Sequence, residues 1–515
     1  MSELEGLIGL VLAAVLLAAA ARRVGAPYPV FLALGGALLA FLPGAPTLIV
    51  PPELALAIFI APVLLDAAYD ASPRDLKDNW APVLSLVVFA VVLTTIAVAV
   101  VARALIPAIP WAPAIALGAI VAPPDAAAAT AVLRGLRPPQ RLLTILEGES
   151  LLNDASALLI YRLAVGAVAA SGFSIQAVAP TFLFAVAGSV VAGPALGWLF
   201  LRLVHRVQHV PTAIILQFAT TFGVWILADR IGLSAVLTMV CYAVTVARSA
   251  PELTPARIRI PSYAVWESAV FLLNILAFVF IGLQIRPIID RIEPGLRGRY
   301  FFVAGAVLVT VIVVRIAWHM SFNAVVRWRD RRHGFNPPRP MLRPTVGSGL
   351  VISWAGMRGI VSLAAALGLP AAFPFRDLIV LTAFSVVLGT LVIQGLTLKA
   401  LLRALKLQDD DPVGRELEAA RACALRAGLA SFERDRSTVA DAVREEFTAH
   451  LAAADTNRDG HDRHAAHGDI HRGALQAARQ AVIDMRTNDE IGDDAFHQVE
   501  EELDWLEMAG GGKES

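Results

Sequence analysis

A cluster of polar side chains interrupts one long apolar stretch of the chain. The segment "ILEGESLLNDASALLIYR", residues 145–162, includes Glu149, Ser150, Asn153 and Asp154 within six positions. Carboxylate, hydroxyl and amide oxygens are hard ligands that suit small cations without redox chemistry. A carboxylate in apolar surroundings can also take up and release a proton. The segment therefore predicts a site for a hard cation, a proton or both.

Helix geometry divides these four residues into two stripes. Ser150 and Asp154 are four positions apart and share one face of a helix, whereas Glu149 and Asn153 share the face about 100° away. The first stripe can present a hydroxyl and a carboxylate to an ion. The second can face a neighbouring helix, where we expect Glu149 to have a basic partner and Asn153 to hydrogen-bond backbone.

The composition places this segment in a membrane. The 515 residues are 57% hydrophobic and 17% charged, with a mean hydropathy of +0.66, whereas soluble domains are about half apolar and a quarter charged. The apolar runs are about 18 to 25 residues long, the length that a helix needs to cross a bilayer. Residues 4–21 are interpreted as the first span rather than a cleaved signal, because Arg22 and Arg23 follow the apolar run instead of preceding it.

The pattern predicts an all-α polytopic fold of about thirteen transmembrane helices. The spans are 4–21, 29–43, 53–70, 80–102, 111–133, 141–170, 175–201, 211–228, 232–248, 262–285, 300–323, 345–370 and 376–402. Loops after odd-numbered spans carry 21 Lys and Arg, against seven after even-numbered spans. The positive-inside rule then places the N-terminus outside and the C-terminus in the cytoplasm.

Two domains are expected, a transmembrane domain at 1–407 and a helical cytoplasmic tail at 408–515, because the sequence becomes charged with apolar residues at helical spacing. The tail stretch "DTNRDGHDRHAA" (455–466) imitates a calcium loop, but it has Ala466 where a bidentate Glu is needed, so we expect no such site. A histidine cluster could bind Zn²⁺ or sense pH, although a solvated linker is the preferred interpretation. Its members are His461, His464, His467 and His471.

The zero net charge indicates no nucleic-acid partner, and no cofactor motif is present.

Charged side chains inside the spans are costly, at roughly 2.5 to 3.5 kcal/mol each at mid-membrane. Those well inside the predicted spans are Asp66, Asp125, Glu149, Asp154, Arg315 and Arg358. A purely structural network of salt bridges suits Glu149 and the two arginines. It does not suit the acids as a set, because they outnumber the arginines. A transported ion or a proton would neutralise the remaining carboxylates.

Two spans contain predicted breaks. Pro123 and Pro124 remove amide donors beside Asp125, so the fifth helix should unwind there and free backbone carbonyls. Gly356 and Gly359 flank Arg358 in the twelfth. When spans 1–6 and 8–13 are taken as halves, both breaks fall in the fifth helix of a half. This predicts two inverted six-helix repeats whose broken helices cross at the midplane, as in secondary transporters.

Three motifs resemble the monovalent cation/proton antiporters of the NhaP/NHE type. "EGESLLNDASALLIY" is similar to that family's Asn-Asp segment, "WAGMRGIVSLAAALGLP" to its Trp-Gly-Gly-Leu-Arg-Gly segment, and "PVLLDAAY" to its third-helix motif. The resemblance spans the thirteen helices and implies an NhaA-like antiporter fold, a homodimer in the plasma (inner) membrane, and a role in sodium transport and pH homeostasis. It covers the tail only weakly.

The resemblance also implies roles for individual residues. Asp154 would bind cation and proton in turn, Asn153 would orient it, and Ser150 and Asp125 would be further ligands. It implies a salt bridge between Glu149 and Arg358, and it makes Asp66 a further ion- or proton-binding acid, either near the cytoplasmic approach or contacting the ion through water. Many members have Thr-Asp-Pro where this chain has Pro124-Asp125-Ala126. The threonine hydroxyl is therefore absent, and the carbonyl of Pro124 is the expected ligand there.

The predicted function is exchange of an alkali cation for H⁺ by alternating access, with no enzymatic chemistry. Desolvation favours the neutral acid and a bound cation favours the carboxylate, so the two ions compete. Na⁺ is the first expectation, and Li⁺ and K⁺ remain open. Asparagine at 153 instead of a second acid implies, through the resemblance, electroneutral exchange. The alternatives are a K⁺/H⁺ antiporter, a cation channel lined by the same acids, and an intramembrane hydrolase using Ser150, which lacks a nearby histidine base.

Overall fold

The computed structural model describes residues 2–42, 51–133, 138–169, 175–334, 344–407, 412–434 and 437–455, with isolated positions beyond 475. The chain divides into two compact units, Met1–Asp410 and Asp411–Ser515. Every regular element in the described residues is helical. The all-α prediction is confirmed.

The helices of the first unit are numbered in chain order. They are α1 (Ser2–Val24), α2 (Tyr28–Leu39), α3 (Pro52–Asp70), α4 (Pro73–Asp78), α5 (Trp80–Leu105), α6 (Trp111–Val121), α7 (Ala126–Leu133), α8 (Gln140–Ala169), α9 (Ile175–Val204), α10 (Val210–Arg230), α11 (Ala235–Leu253), α12 (Ala256–Leu283), α13 (Ile285–Arg291), α14 (Pro294–His333), α15 (Val346–Trp354), α16 (Ile360–Leu367) and α17 (Arg376–Ala404).

Each of the thirteen predicted spans overlaps one helix or, at the two predicted breaks, a pair of shorter helices. Within the described residues, seven helical stretches are long and apolar enough to cross a membrane, and three shorter apolar helices accompany them. Thirteen crossings, the two inverted repeats and the orientation of the termini therefore remain predictions. α14 differs most from its predicted span, because its 40 residues reach about 60 Å at 1.5 Å per residue.

Both predicted breaks are present. α6 ends at Val121 and α7 begins at Ala126, because the two prolines between them cannot donate the hydrogen bonds that would continue the helix. α15 ends at Trp354 and α16 begins at Ile360. α15 begins with a capping box in which the side chains of Thr345 and Ser348 each accept the other's backbone N–H. Local chemistry thus ends α6 and begins α15.

A π-helical turn at Ser85–Ala90 within α5 positions the helix that carries the polar cluster. Such turns shift the backbone hydrogen bonds and leave carbonyls that side chains can reach. The carbonyl of Val87 accepts from Ser156 Oγ at 2.9 Å, and that of Ser85 accepts from Trp318 Nε1 at 3.2 Å. α5 therefore contacts α8 two residues from Asp154 and contacts α14 one turn from Arg315.

The second unit begins with two amphipathic helices, α18 (Pro412–Ser431) and α19 (Thr438–Asp455). They pack through Phe432 and Phe447, whose rings meet edge to face at 6.2 Å. The imitated calcium loop after Asp455 and the four tail histidines lie outside the described residues.

Candidate ion-binding site

The two helix breaks touch each other in the interior of the first unit. The backbone N–H of Asp125, in the first break, donates to the carbonyl of Met357, in the second, at 2.6 Å. Each break therefore satisfies part of the backbone that the other exposes, which is how non-helical chain is tolerated inside a membrane protein. This contact brings Asp125 next to the Arg358 segment, as the crossing predicted from the sequence requires.

Arg358 satisfies the backbone carbonyls that the breaks leave open. It is buried, with Nε donating to Val121 O at 3.0 Å, Nη2 to Ala122 O at 3.1 Å, and Nη1 to the carbonyl of Gly356. Its own N–H donates to Thr390 Oγ1 at 3.1 Å. The guanidinium thus lies at the C-terminal end of α6, where the helix dipole favours a positive charge.

The predicted salt bridge between Glu149 and Arg358 is wrong. Glu149 pairs instead with Arg315 of α14 in a two-pronged interaction, with Nη1–Oε1 at 2.5 Å and Nη2–Oε2 at 2.8 Å. Arg315 also donates to the carbonyls of Ser353 and Ile352 at 3.2 and 3.1 Å. The physical reason is that the guanidinium of Arg358 is already committed to carbonyls of both breaks, whereas that of Arg315 faces α8.

The stripe of α8 that contains Glu149 and Asn153 behaves as its geometry predicts. Glu149 has a basic partner, and Asn153 Nδ2 donates to the backbone carbonyl of Pro124 at 2.9 Å. The carbonyl of Pro124, which lies in the first break, is therefore engaged by α8. Because a carbonyl oxygen has two lone pairs, it retains the capacity to bind an ion as well.

The two carboxylates near the crossing differ in their partners. Asp125 is half-buried and its Oδ1 accepts the Ala127 N–H at 2.9 Å, which caps the start of α7. Asp154 is 6% exposed and makes no hydrogen bond or ion pair with any residue that the structure describes. The Asp125 carboxylate is an electrostatic neighbour of Asp154. A buried anion beside another anion is unfavourable unless a proton or cation neutralises it.

The remaining predicted site residues lie nearby in the fold. Ser150 is half-buried on α8 one turn before Asp154, and Asp66 is half-buried on α3, which packs against α8 and α16. Among the described side chains, no three His, Cys, Asp or Glu are arranged to hold a metal ion. Asp66 therefore does not join Asp125 and Asp154 in a three-carboxylate cluster in this structure.

The first unit matches a known protein family along most of its length. The family model described as "Sodium/hydrogen exchanger, transmembrane" matches residues 10–404. The chain belongs to the sodium/hydrogen exchanger family. It is therefore an integral membrane protein of a family of transporters, and the resemblance noted in its motifs is confirmed.

The chain is similar to other proteins of this family. It is 32% identical to an uncharacterized Na(+)/H(+) exchanger of Mycobacterium tuberculosis, over 94% of this chain and 92% of that protein. It is 33% identical to the "Sodium, potassium, lithium and rubidium/H(+) antiporter" of Bacillus subtilis, over 68% of this chain and 54% of that protein. The structure of the sodium proton antiporter MjNhaP1 from Methanocaldococcus jannaschii matches with a TM-score of 0.60 at 18% identity, covering 79% of this chain and 99% of that one. The chain thus has the same fold as that antiporter.

The roles of two residues at the crossing were not assigned from the sequence. Arg315 was recognised as a buried charge but not as the partner of Glu149, although it repeats at four-residue spacing with His319 and Asn323 on one buried face of α14. That spacing could have identified Arg315 as the residue facing a polar neighbour. Thr390 lies in an apolar stretch of α17 with no pattern that marks it as a partner of Arg358.

Substitution of Gly359 by alanine should impair exchange. A Cβ atom at this position would overlap Asp125 Oδ2, so the carboxylate or the second break must move. We expect weaker apparent cation affinity and a loss of about 1 to 3 kcal/mol in stability, the usual cost of overpacking. Gly305→Ala on α14 is the matched control, because nothing lies within 4 Å of its added Cβ. Equal exchange kinetics in the two variants in proteoliposomes would place the ion elsewhere than beside Asp125.

Proposed function

We propose that the protein exchanges one monovalent alkali cation for one proton across the plasma membrane by alternating access. The observation that supports this most strongly is the Asp154 carboxylate, which is buried without a described protein partner at the crossing of two broken helices. Such a group needs a neutralising ion in every state that is sealed from water. A proton and an alkali cation can each provide that neutralisation, but they compete for the same oxygens.

The cation ligands in this proposal are oxygens from both α8 and the first break. Asp154 and Ser150 contribute from one face of α8, Asp125 from the start of α7, and Pro124 through its carbonyl. Asn153 orients the site by holding that carbonyl, as the hydrogen bond of 2.9 Å between its amide and Pro124 O indicates. Hard oxygen ligands of this kind suit small cations.

The two buried arginines have structural roles in the proposal. Arg358 hydrogen-bonds to the open carbonyls at the crossing, and Arg315 pairs with Glu149. Neither guanidinium is therefore free to replace the transported cation at Asp154. The site then carries the charge of its aspartates alone. Release of a proton from Asp154 therefore leaves a buried negative charge, which the bound cation neutralises.

Electroneutral exchange is proposed from the family resemblance, because the residue before Asp154 is an asparagine. Asn153 cannot release a proton, so one carboxylate at this pair of positions exchanges one proton for one monovalent cation. Asp66 lies on the cytoplasmic approach in this scheme. The N-terminus is outside and the C-terminus is cytoplasmic, as the basic residues of the loops favour. A homodimer is proposed from the family resemblance.

Na⁺ is the proposed principal cation, with Li⁺ and K⁺ as competitors. The Bacillus subtilis relative is named for sodium, potassium, lithium and rubidium. Pro124 offers only a carbonyl where a threonine hydroxyl would add an oxygen ligand, so the cation has fewer oxygen ligands. Ions that are larger and more weakly hydrated than Na⁺ therefore compete more easily.

Exchange by the purified protein in proteoliposomes tests this proposal. An imposed pH gradient should drive saturable uptake of Na⁺, and the rate should not change when the membrane potential is clamped at zero or at a negative value. The apparent KM for Na⁺ should rise as the pH falls, because protons then compete for the same site. Li⁺, K⁺ and Rb⁺ measured in the same vesicles give the cation order. Non-saturable flux that follows membrane potential would indicate a channel instead.

A further inference from the structure

A cavity of about 410 Å³ opens where four helical segments end on one side of the first unit. Its walls come from the α4–α5 junction, the N-terminal end of α8, the C-terminal third of α14 and the N-terminal end of α15. We call it the helix-end cavity. Its polar and aromatic lining residues include Asn79, Trp80, Arg141, His319, Asn323 and Asp330. The volume lies within the range of small-molecule sites, about 300 to 1,000 Å³.

The inner wall of the helix-end cavity holds buried polar atoms without hydrogen-bond partners in the described chain. His319 is 3% exposed and its Nδ1 has no partner, and Asn323 is 5% exposed and its Oδ1 has none. Asp330 Oδ1 also accepts no hydrogen bond. Buried polar atoms are almost always hydrogen-bonded. Two acceptors and one ring nitrogen at a single cavity therefore indicate a polar ligand.

The side chains around these atoms are already fixed by other contacts. Asn323 Nδ2 donates to the carbonyl of Thr345 at 2.9 Å, which holds the start of α15. Arg141 Nε donates to Asn79 Oδ1 at 3.0 Å, and Asn79 Nδ2 donates to the carbonyl of Asp75 at 2.9 Å. The polar wall is therefore preorganised, which lowers the entropic cost of binding a ligand.

The charges that line the helix-end cavity balance. Arg141, Arg329, Asp78 and Asp330 all line it, and Arg329 Nη2 and Asp330 Oδ1 form a loose ion pair at 3.7 Å. A simple anion or a simple cation would leave one pair of charges without its complement. A ligand that has a negative group for the arginines and an ammonium group for the unpaired acceptors, Asn323 Oδ1 and Asp330 Oδ1, matches both kinds of lining residue. Charge complementarity thus favours a zwitterion.

The outer wall of the helix-end cavity is apolar and faces outward. It includes Phe322, Val325 and Val326 of α14 together with Trp80, and the side chain of Trp80 is 63% exposed. Exposed tryptophans beside arginines at helix ends are typical of the membrane interface, where the headgroups of lipids lie. Pockets between transmembrane helices at this level bind lipid headgroups whose charges match their lining.

We propose that the helix-end cavity binds one phosphatidylethanolamine molecule. The phosphate lies with Arg141 and Arg329, the primary ammonium donates to Asp330 and Asn323, and the acyl chains leave over Trp80 and the apolar wall. Phosphatidylcholine has the same charges, but its quaternary ammonium cannot donate hydrogen bonds to the two orphaned acceptors. Phosphatidylglycerol provides the phosphate without an ammonium. The lipid would brace α14 against α15 one turn from the Arg315–Glu149 pair.

Native mass spectrometry of the purified full-length chain tests the proposal. The probes are phosphatidylethanolamine, phosphatidylcholine and phosphatidylglycerol with identical acyl chains, titrated into delipidated protein. Phosphatidylethanolamine should bind at least about tenfold more tightly than either of the others, the effect expected for one charge-assisted hydrogen bond. Equal binding of the three lipids, or preference for phosphatidylglycerol, would overturn the assignment.

Two variants and a soluble headgroup complete the test. Asp330→Asn should lose about tenfold in phosphatidylethanolamine affinity and little in phosphatidylcholine affinity. Arg331→Gln, on the same helix end but outside the cavity lining, should change neither. Glycerophosphoethanolamine should bind much more weakly, and equal binding of this headgroup would assign a soluble ligand instead. None of these readouts depends on ion transport, so failure here leaves the proposed antiport untouched.

Discussion

Substitution of Asp154 by asparagine is expected to reduce pH-driven cation exchange to the level of protein-free vesicles. Asparagine has nearly the same shape but can neither release a proton nor supply a full negative charge to a cation. The fold should survive, because Asp154 makes no hydrogen bond or ion pair with the described residues that the change could break. Removal of a buried charge can even raise stability. Exchange is measured in proteoliposomes, and folding by thermal unfolding and gel filtration.

Asp290→Asn is the matched control for this variant. Its carboxylate lies at a helix end, is 66% exposed and, among the described residues, makes one loose contact of 3.7 Å with Arg286, so exchange should be unchanged. A folded Asp154→Asn protein that exchanges cations at the normal rate would remove the basis of the proposed mechanism. A variant that fails to fold would instead give Asp154 a structural role that its contacts do not indicate.

Substitution of Glu149 by glutamine should have the largest effect on stability. Glu149 and Arg315 are 1% and 2% exposed, and the change leaves the guanidinium of Arg315 buried with no carboxylate. Breaking a buried ion pair by removing one partner costs about 3 to 5 kcal/mol. The melting temperature in detergent should fall sharply. In the fraction that remains folded, the order of cation preference should be unchanged.

A double variant separates the ion pair from other consequences of the change. When Glu149→Gln and Arg315→Gln are combined in one protein, no uncompensated charge remains. The loss of stability should then be smaller than the sum of the losses in the two single variants. Arg358→Gln combined with Glu149→Gln should show no such compensation, because Arg358 bonds to carbonyls instead of Glu149. Normal melting of Glu149→Gln with altered cation selectivity would move Glu149 from the scaffold to the ion site.

The local features of the site could be predicted from the sequence. The Pro123–Pro124 pair dictates a break because it removes backbone donors, and helix periodicity separates Ser150 and Asp154 from Glu149 and Asn153. Both predictions concern residues close together in the chain. The structure shows α6 ending at Val121 and Asn153 bonded to backbone, as these rules require.

The partners across helices could not be predicted in the same way. Two buried arginines, Arg315 and Arg358, could have paired with Glu149. Arg358 is unavailable because its guanidinium bonds to the carbonyls of Val121 and Ala122. Those carbonyls lie beside Arg358 only because the fold brings the two breaks together, and the sequence does not show this. The family resemblance also led to the wrong arginine. The charge inventory was correct, but the pairing required the fold.

Helix lengths were another limit of the sequence. Hydropathy marks the apolar middle of a helix and says little about polar extensions, so α14 was predicted as 300–323 although it begins at Pro294 and continues to His333. Its extension carries Arg329 and Asp330 of the helix-end cavity. The cavity itself has no sequence signature, since its lining residues come from four separate segments.

Proton release on cation binding tests the central claim most directly. Na⁺ is titrated into the purified protein by calorimetry in buffers with different ionisation enthalpies, across a pH series. If Asp154 holds either H⁺ or a cation, each Na⁺ bound at acidic pH should release close to one proton, the release should fall as the pH rises, and Asp154→Asn should release none. Na⁺ binding without proton release at any pH, or the same release from Asp154→Asn, would contradict the account.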